Sequence, residues 1–513
     1  MGTHELVERA EPDRKRSAPP GVEAVRDRPP ALTSALVGPV VLALLGVVFT
    51  PRGAITSVEA LATMAAALAV GAAAGYRLAN RWSMVLAPVV YVVVFETFRI
   101  GLDGPTVDRP EATLVGLLVW TGVRLVLGLL TLGPMALGAG WGVEVAARRG
   151  RGNTSPMRRS GRLALVTCSL ALVGIVVILT VPASTAPITG PDGTPVPGSI
   201  AELTTIDVNG QEHALMIRGA SADNPVLLHL AGGPGGTDIG AMRLDTSLEE
   251  HFVVVTWDQR GTGKSARALD PTDTLTLQGA LDDTLAVTDH LRGRFGQDRI
   301  VLAGQSWGTI PGVLAAQRHP ERFRALVATG QMVSPVETDR IFYDDTLAWA
   351  DARNDTAPSA RLRELGPPPY DRYTDYLTVV GYERDLNPYP EFDGHTEMPA
   401  TIWAPEYDAM ERFGAIRGLV DTYALLYPQL QRLDFRTQVP RLEVPVYMVM
   451  GEHEARGRVE PARQWFDALD APSKEWIEFP ASSHRASFER PSLYTGLLTR
   501  LLDETRGDLS SQA

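Results

Sequence analysis

The stretch Gly304-Gln305-Ser306-Trp307-Gly308 constrains this chain more than any other, because of what flanks it. Before it runs Arg299-Ile-Val-Leu-Ala303, a short apolar run that reads as a buried strand. After it, Thr309 to His319 read as a helix. A chain that turns from strand to helix at a serine strains its backbone there and lifts the hydroxyl above the sheet. Small residues on both sides fit, because the turn is too tight for larger side chains. A Gly-rich chain can carry G-x-S-x-G by chance, so the argument rests on the flanking strand and helix.

At 513 residues the chain exceeds one compact domain, and its composition divides it. Up to about residue 185 it is rich in Ala, Val, Leu and Gly, with 18 Lys+Arg against 12 Asp+Glu. The remainder holds 30 Lys+Arg and 48 Asp+Glu, a balance that disfavours nucleic acid and anionic lipid surfaces as partners. The single cysteine, Cys168, excludes an intrachain disulfide.

Residues 1–30 are charged and Pro-rich and are expected to be a disordered tail. Five apolar stretches follow, at about 32–50, 55–75, 83–101, 112–142 and 162–182. Each is long enough to cross ~30 Å of hydrocarbon, so 31–183 is expected to be a transmembrane region of about five helices in a lipid bilayer. No small-residue cleavage site marks the first as a removable signal. Gly133-Pro134 falls inside the fourth, which is expected to be one kinked helix rather than two spans. Arginines gather before the first span, between spans two and three (Arg77, Arg81), and between four and five (Arg148, Arg149, Arg151, Arg158, Arg159, Arg162). Five spans then put the N-terminus in the cytoplasm and the acidic remainder outside the cell membrane.

Beyond a Pro/Thr/Gly/Ser-rich linker at 184–199, read as an extended tether, the pattern changes to short strands. Leu203–Val208 and Glu212–Ile217 flank Asn209-Gly210, a hairpin signal. Pro225–Leu230, His251–Thr256 and Arg299–Ala303 read as buried strands, Ala325–Gly330 and Pro445–Met450 as later strands, and Glu475–Phe479 is strand-like. Helical segments separate the later ones, which implies a mostly parallel sheet with helices on both faces.

Three glycine-bearing elements sit at strand ends. Ala231-Gly232-Gly233-Pro234-Gly235-Gly236 can turn backbone N–H groups toward an oxyanion, with Gly233 and Trp307 as the expected donors. Trp257-Asp258-Gln259-Arg260-Gly261-Thr262-Gly263-Lys264-Ser265 ends in Gly-Lys-Ser. A phosphate loop, however, needs glycine where Asp258 stands, so a turn held by Asp258 and Arg260 is expected instead. The third element is the Ser306 turn. For a strained serine of this kind the partners follow in the order nucleophile, acid, base. Only His484 lies beyond the strand at 445–450 and the Gly451-Glu452-His453-Glu454 turn, so it is the expected base. Glu454 is the expected acid by spacing, with Glu452 as the alternative. Residues 333–440 suggest a helical cap over the site. No metal-ligand spacing and no dinucleotide fingerprint appears, so no cofactor and no metal is expected.

Together these elements resemble the proline iminopeptidase family of α/β-hydrolases, the serine peptidases grouped as S33. The family's H-G-G-P-G, D-Q-R-G-x-G-x-S and G-x-S-W-G elements match Ala231–Gly235, Asp258–Ser265 and Gly304–Gly308. The acid turn ending at Glu454, the Ser-x-His at Ser482–His484, and Gly366-Pro-Pro-Pro-Tyr370 also match, so the resemblance covers about 200–505. Ala231 replaces the usual histidine, Glu454 the usual aspartate, and no W-x-x-W-E-like segment is present. The resemblance implies an α/β-hydrolase fold with a helical cap, and removal of N-terminal residues from short peptides through an acyl-enzyme. An esterase or amidase of small acyl substrates could use the same residues, and a non-catalytic binding protein would not need them.

Overall fold

The computed structural model describes residues 28–50, 54–99, 114–151, 154–269, 271–390 and 400–510, in two compact units. The tail expected to be disordered lies outside the described residues as far as residue 27, and α1 begins at Arg28.

Five helices come first: α1 (Arg28–Phe49), α2 (Ser57–Leu78), α3 (Ser83–Arg99), α4 (Leu114–Arg148) and α5 (Arg159–Leu179). Their outward positions are apolar, as with Val37, Leu118 and Leu170, each more than half exposed. Their inward positions are small, as with Ala43, Ala67, Ala74, Ala87 and Ala139, all but fully buried. That inverted pattern suits a solvent as apolar as the side chains, where close backbone packing replaces the hydrophobic effect. Gly71, Gly75, Gly138 and Gly142 bring α2 and α4 so close that an added Cβ would meet backbone oxygen of the other helix within 2.2 Å. Among the described residues four helices are long and apolar enough to cross a membrane: 32–49, 57–78, 116–148 and 159–179. The third of the five expected stretches is the exception, since α3 has 17 residues, a rise of about 26 Å. The fourth stretch is a single helix with Pro134 inside it.

The second unit is built on an eight-stranded sheet in the order β1-β2-β4-β3-β5-β6-β7-β8. The strands are β1 (Ile200–Val208), β2 (Gln211–Gly219), β3 (Val226–Leu230), β4 (Val253–Asp258), β5 (Ile300–Gln305), β6 (Phe323–Thr329), β7 (Val446–Gly451) and β8 (Lys474–Phe479). β1, β2 and β4 pair antiparallel, and every pair from β4 to β8 is parallel. The β1–β2 hairpin turns at Asn209 and Gly210 with φ of +53° and +81°, the left-handed pair that a two-residue hairpin requires.

Successive side chains of the central strands enter opposite cores. Leu228, Leu302, Leu326 and Met448 face one, and Leu227, Val301, Val327 and Val449 the other. Helices α6 (Leu277–Phe295) and α7 (Thr309–Arg318) cover the first face. Between β6 and β7 comes a helical insertion with α8 (Pro335–Ala352), α9 (Thr356–Leu365), α10 (Tyr373–Val380), α11 (Glu383–Leu386) and α12 (Ala409–Leu430). After β7 comes α13 (Arg456–Ala468), on the α6 and α7 side, and after β8 comes α14 (Pro491–Ser510) on the other face. The segment expected as an extended tether folds back on itself through a Thr189–Pro195 bridge. Arg218 on β2 pins it, donating from Nη1 to Thr185 Oγ1 at 2.7 Å and to the Ala186 carbonyl at 2.6 Å.

The turn after β4 is held from two directions. Asp258 accepts from the Lys264 N–H at 2.9 Å, within the turn. Arg260 instead reaches out to Asp283 on α6, donating from Nε and Nη2 at 2.8 and 2.9 Å. Asp283 is 1% exposed and also accepts from Asn209 at 2.7 Å. His213, 3.9 Å from the same carboxylate, is held neutral, its pKa pushed down to about 4 by burial. Arg260→Ala would leave Asp283 buried without its cation. We expect a loss of about 3–5 kcal/mol in stability, measurable as a lower denaturant midpoint of the full-length chain in detergent micelles.

Candidate active site

Ser306 stands where β5 ends, in a one-turn 3₁₀ segment that leads directly into α7. Its φ is +52°, a left-handed conformation that side chains with a Cβ rarely adopt. Only surroundings that over-determine such a residue can hold it there. They are visible on both sides. A Cβ on Gly304 would lie 2.6 Å from the Gly308 carbonyl oxygen, and one on Gly308 would lie 2.1 Å from that of Leu230. The two motif glycines therefore let β5, α7 and the end of β3 share one space.

The loop after β3 wraps this turn. Gly233 has φ of +130°, and a Cβ there would fall 2.5 Å from the Gly236 nitrogen, so only glycine fits. Gln259, from the turn after β4, ties the pieces together. Its Oε1 accepts from Trp307 Nε1 at 2.9 Å, and its Nε2 donates to the Ala231 carbonyl at 3.1 Å. Gly233, Ser306 and Trp307 line one small cavity. The expected nucleophile and the two expected oxyanion donors thus share one surface.

His484 follows β8. Gln305, next to Ser306, donates from Nε2 to the His484 carbonyl at 2.7 Å, tying the two loops. The ring packs against the end of β6, since a Cβ on Gly330 would lie 2.9 Å from Nδ1 and Cε1. His484 Nδ1 is 2.7 Å from Glu454 Oε2. Of the two carboxylates left open by the sequence, Glu454 is the one in contact. Glu452 is half exposed and accepts instead from the Ala481 N–H at 2.8 Å. The Glu454 side chain is fully buried, and its Oε1 accepts from the Ala455 N–H and from Arg458 Nε, both at 2.8 Å. Burial pushes the Glu454 carboxyl up. It pushes the His484 imidazole down, and the nearby Arg458 and Arg485 charges push it further.

The helical insertion supplies the opposite wall of the cavity: Asp339 from α8, Tyr376 from α10, and Tyr423 and Tyr427 from α12. The three tyrosine rings pack with centroids 5.6 to 5.8 Å apart. Asp339 accepts from the Tyr427 hydroxyl at 2.5 Å and from Gln431 Nε2 at 3.1 Å. Its pKa is pushed up to about 7, chiefly by burial. Asp339, Arg458 and Gln259 are the residues of this site that sequence reasoning missed. A carboxylate one helical turn before Arg458 was the one available signal, while Asp339 has none in its local sequence. Among the described residues no group of three or more His, Cys, Asp or Glu is placed to hold a metal.

A family model described as the alpha/beta hydrolase fold matches residues 225–491. The chain is similar to a probable aminopeptidase, YbaC, of Bacillus subtilis strain 168, 30% identical over 307 residues, which are 59% of this chain and 96% of that protein. It is also similar to a probable proline iminopeptidase of Leptolyngbya boryana, 24% identical over 297 residues, 55% of this chain and 85% of the relative. Among solved structures, a proline iminopeptidase-related protein from Thermus thermophilus aligns with TM-score 0.42 and 20% identity, over 59% of this chain and 98% of that one.

The two carboxylates separate cleanly by experiment. Glu454→Gln replaces the carboxylate 2.7 Å from His484 Nδ1 with an amide, and if that carboxylate orients a catalytic imidazole, turnover should fall roughly 10⁴-fold. Glu452→Gln should leave turnover within about twofold, because an exposed carboxylate away from the imidazole perturbs it little. Steady-state kinetics on both variants checks this, and the reverse ranking would make Glu452 the acid.

Proposed function

The chain belongs to the α/β-hydrolase fold family, and from that premise we propose that it is a serine aminopeptidase removing N-terminal residues from short peptides. In this reading Ser306 Oγ attacks the scissile carbonyl while His484 Nε2 takes its proton. Glu454 holds the imidazole through Nδ1 and stabilises the imidazolium. The backbone N–H groups of Gly233 and Trp307 receive the oxyanion. His484 then hands the proton to the departing amine, leaving an acyl-enzyme on Ser306. Water, deprotonated by the same histidine, releases the acyl group and restores the serine.

The observation that carries a free-amine substrate over a neutral ester is Asp339. A buried carboxyl faces the same cavity as Ser306 among three tyrosine rings. A substrate ammonium brought there would pull the carboxyl back to its charged form. The ring faces would add cation–π attraction. The names of the curated relatives, aminopeptidase and proline iminopeptidase, point the same way. A neutral ester would bring no cation to that carboxyl, which makes an esterase the second reading.

The test is turnover of aminoacyl anilides with free and with acetylated amino groups, and of short acyl esters, by the full-length chain beside Ser306→Ala. Turnover of free-amine substrates alone, abolished by Ser306→Ala, is the expected result. Ester turnover indifferent to the amine would make the protein an esterase. Asp339→Asn should raise KM for free-amine substrates about tenfold or more, the loss of one charge-assisted contact, while changing the acetylated ones little.

We further propose that the apolar helices anchor the enzyme in the cell membrane, with the N-terminus cytoplasmic and the hydrolase domain outside. With α3 counted as a fifth span beside the four longer helices, the arginine-rich connections all fall on one side, which supports this orientation. Protease added to intact cells should then digest the hydrolase domain, and protection until lysis would reverse the orientation.

A further inference from the structure

Arg458 lies one helical turn beyond Glu454, at the start of α13, and its side chain is 2% exposed. Nε donates to Glu454 Oε1 at 2.8 Å, Nη2 bonds Glu383 Oε1 on α11, and the guanidinium lies 5.0 Å from the Phe342 ring centroid. One cation therefore joins the carboxylate that holds His484 to a carboxylate of the helical insertion. We propose that Arg458 is a positioning residue for the Glu454–His484 pair, and that Glu383 sets how much of the guanidinium charge the pair experiences. This rests on the serine-hydrolase reading above.

The argument is one of valence and charge. Glu454 Oε1 is occupied by Arg458 Nε and the Ala455 N–H, which leaves Oε2 for the imidazole and fixes the plane of the carboxylate. A fully buried carboxylate with no cation would take up a proton rather than stay charged. It could then no longer accept the Nδ1 proton and stabilise an imidazolium. Arg458 itself keeps its proton at neutral pH, although burial lowers its pKa to about 10.

Other charges face the pair from each neighbouring element. Arg485 is engaged by Asp238 at 2.7 Å. Glu489 accepts from the Ser483 and Arg485 N–H groups and from the Tyr389 hydroxyl. Asp339 lies across the cavity. Among the described residues, Arg458 is the cation whose hydrogen bond to the Glu454 carboxylate is seen.

The direction of the effect does not depend on which atom carries the added proton. Removing the Arg458 charge favours every state of the pair with one more proton, so the pair protonates at higher pH. Removing the Glu383 charge leaves the guanidinium less neutralised, so the pair protonates at lower pH. A purely architectural role for either side chain gives no reason for opposite shifts.

The test uses the full-length chain in detergent micelles and the rate of labelling by a fluorophosphonate across pH. In that reaction the Ser306 Oγ–P bond forms, the P–F bond breaks, and the serine proton passes through His484 to leave with fluoride. Labelling absent in Ser306→Ala identifies the serine, and a wild type that does not label at Ser306 would sink the serine-hydrolase reading itself. Given labelling, Arg458→Met should lower the plateau rate about tenfold or more and move the acid limb up by about half a pH unit or more. Arg458→Lys should restore much of both. Glu383→Gln should move the limb down. A folded Arg458→Met with wild-type limb and plateau would overturn the proposal. So would Glu383→Gln with an unmoved or raised limb, and that variant decides alone if Arg458→Met does not fold.

Discussion

The arrangement around Ser306 depends on one close approach, that of Gly308 to the carbonyl oxygen at the end of β3. No side chain can stand between them, so the first turn of α7 sits directly against the sheet. β5 must then leave the sheet abruptly, and the strain appears at Ser306 as a left-handed φ of +52°. The same proximity places the loop bearing Gly233 beside the serine, and Gln259 locks it by bonding Trp307 and Ala231 at once. Packing thus precedes chemistry here. The strained serine and the glycine loop are two consequences of one backbone contact, and the folded sheet on either side of it supplies the stability that the strain draws on.

Charge buried away from solvent is the second constraint. Glu454, Asp339 and Arg458 are all buried, and burial works against the charged form of each. The three are not equivalent, because their donors differ. Glu454 has a guanidinium and a backbone N–H on one oxygen and an imidazole on the other. Asp339 accepts from a hydroxyl and an amide with no cation bonded to it, and burial raises its pKa to about 7 although the Arg458 charge opposes the shift. Burial raises both carboxyls all the same, so it is their bonded donors, not their burial, that set them apart.

The two units place similar residues in opposite ways. In the sheet unit Val, Leu and Met face inward on both sides of the strands. In the helical unit Val and Leu face outward, while Ala and Gly make the contacts. Alanine and glycine gain little from burial in water, but in hydrocarbon they let backbones come close enough for dispersion to hold helices together. This inversion is a stronger sign of an apolar surrounding than helix length, since α3 carries it at 17 residues, with Val85, Val89 and Val93 about half exposed or more.

What the sequence revealed follows from how local each signal is. The central strands were visible because buried strands in a parallel sheet are short apolar runs bounded by turn residues, and the β1–β2 hairpin because Asn209-Gly210 marks its turn. Ser306, Gly233 and Trp307 were readable because each sits within five residues of a glycine that a tight turn demands. His484 emerged from chain order, since only one histidine follows the last strands. Spacing favoured Glu454 over Glu452 as the acid, but both stand in one turn, and the direction of the chain there decides which carboxylate points inward. Glu383 and Asp339 were out of reach altogether. They lie 71 and 115 positions before Glu454 in an insertion whose helices have no fixed register against the sheet in sequence terms. Their placement is set by which helix faces pack over the cavity, and the tyrosines that mark that face read in one dimension as ordinary core residues.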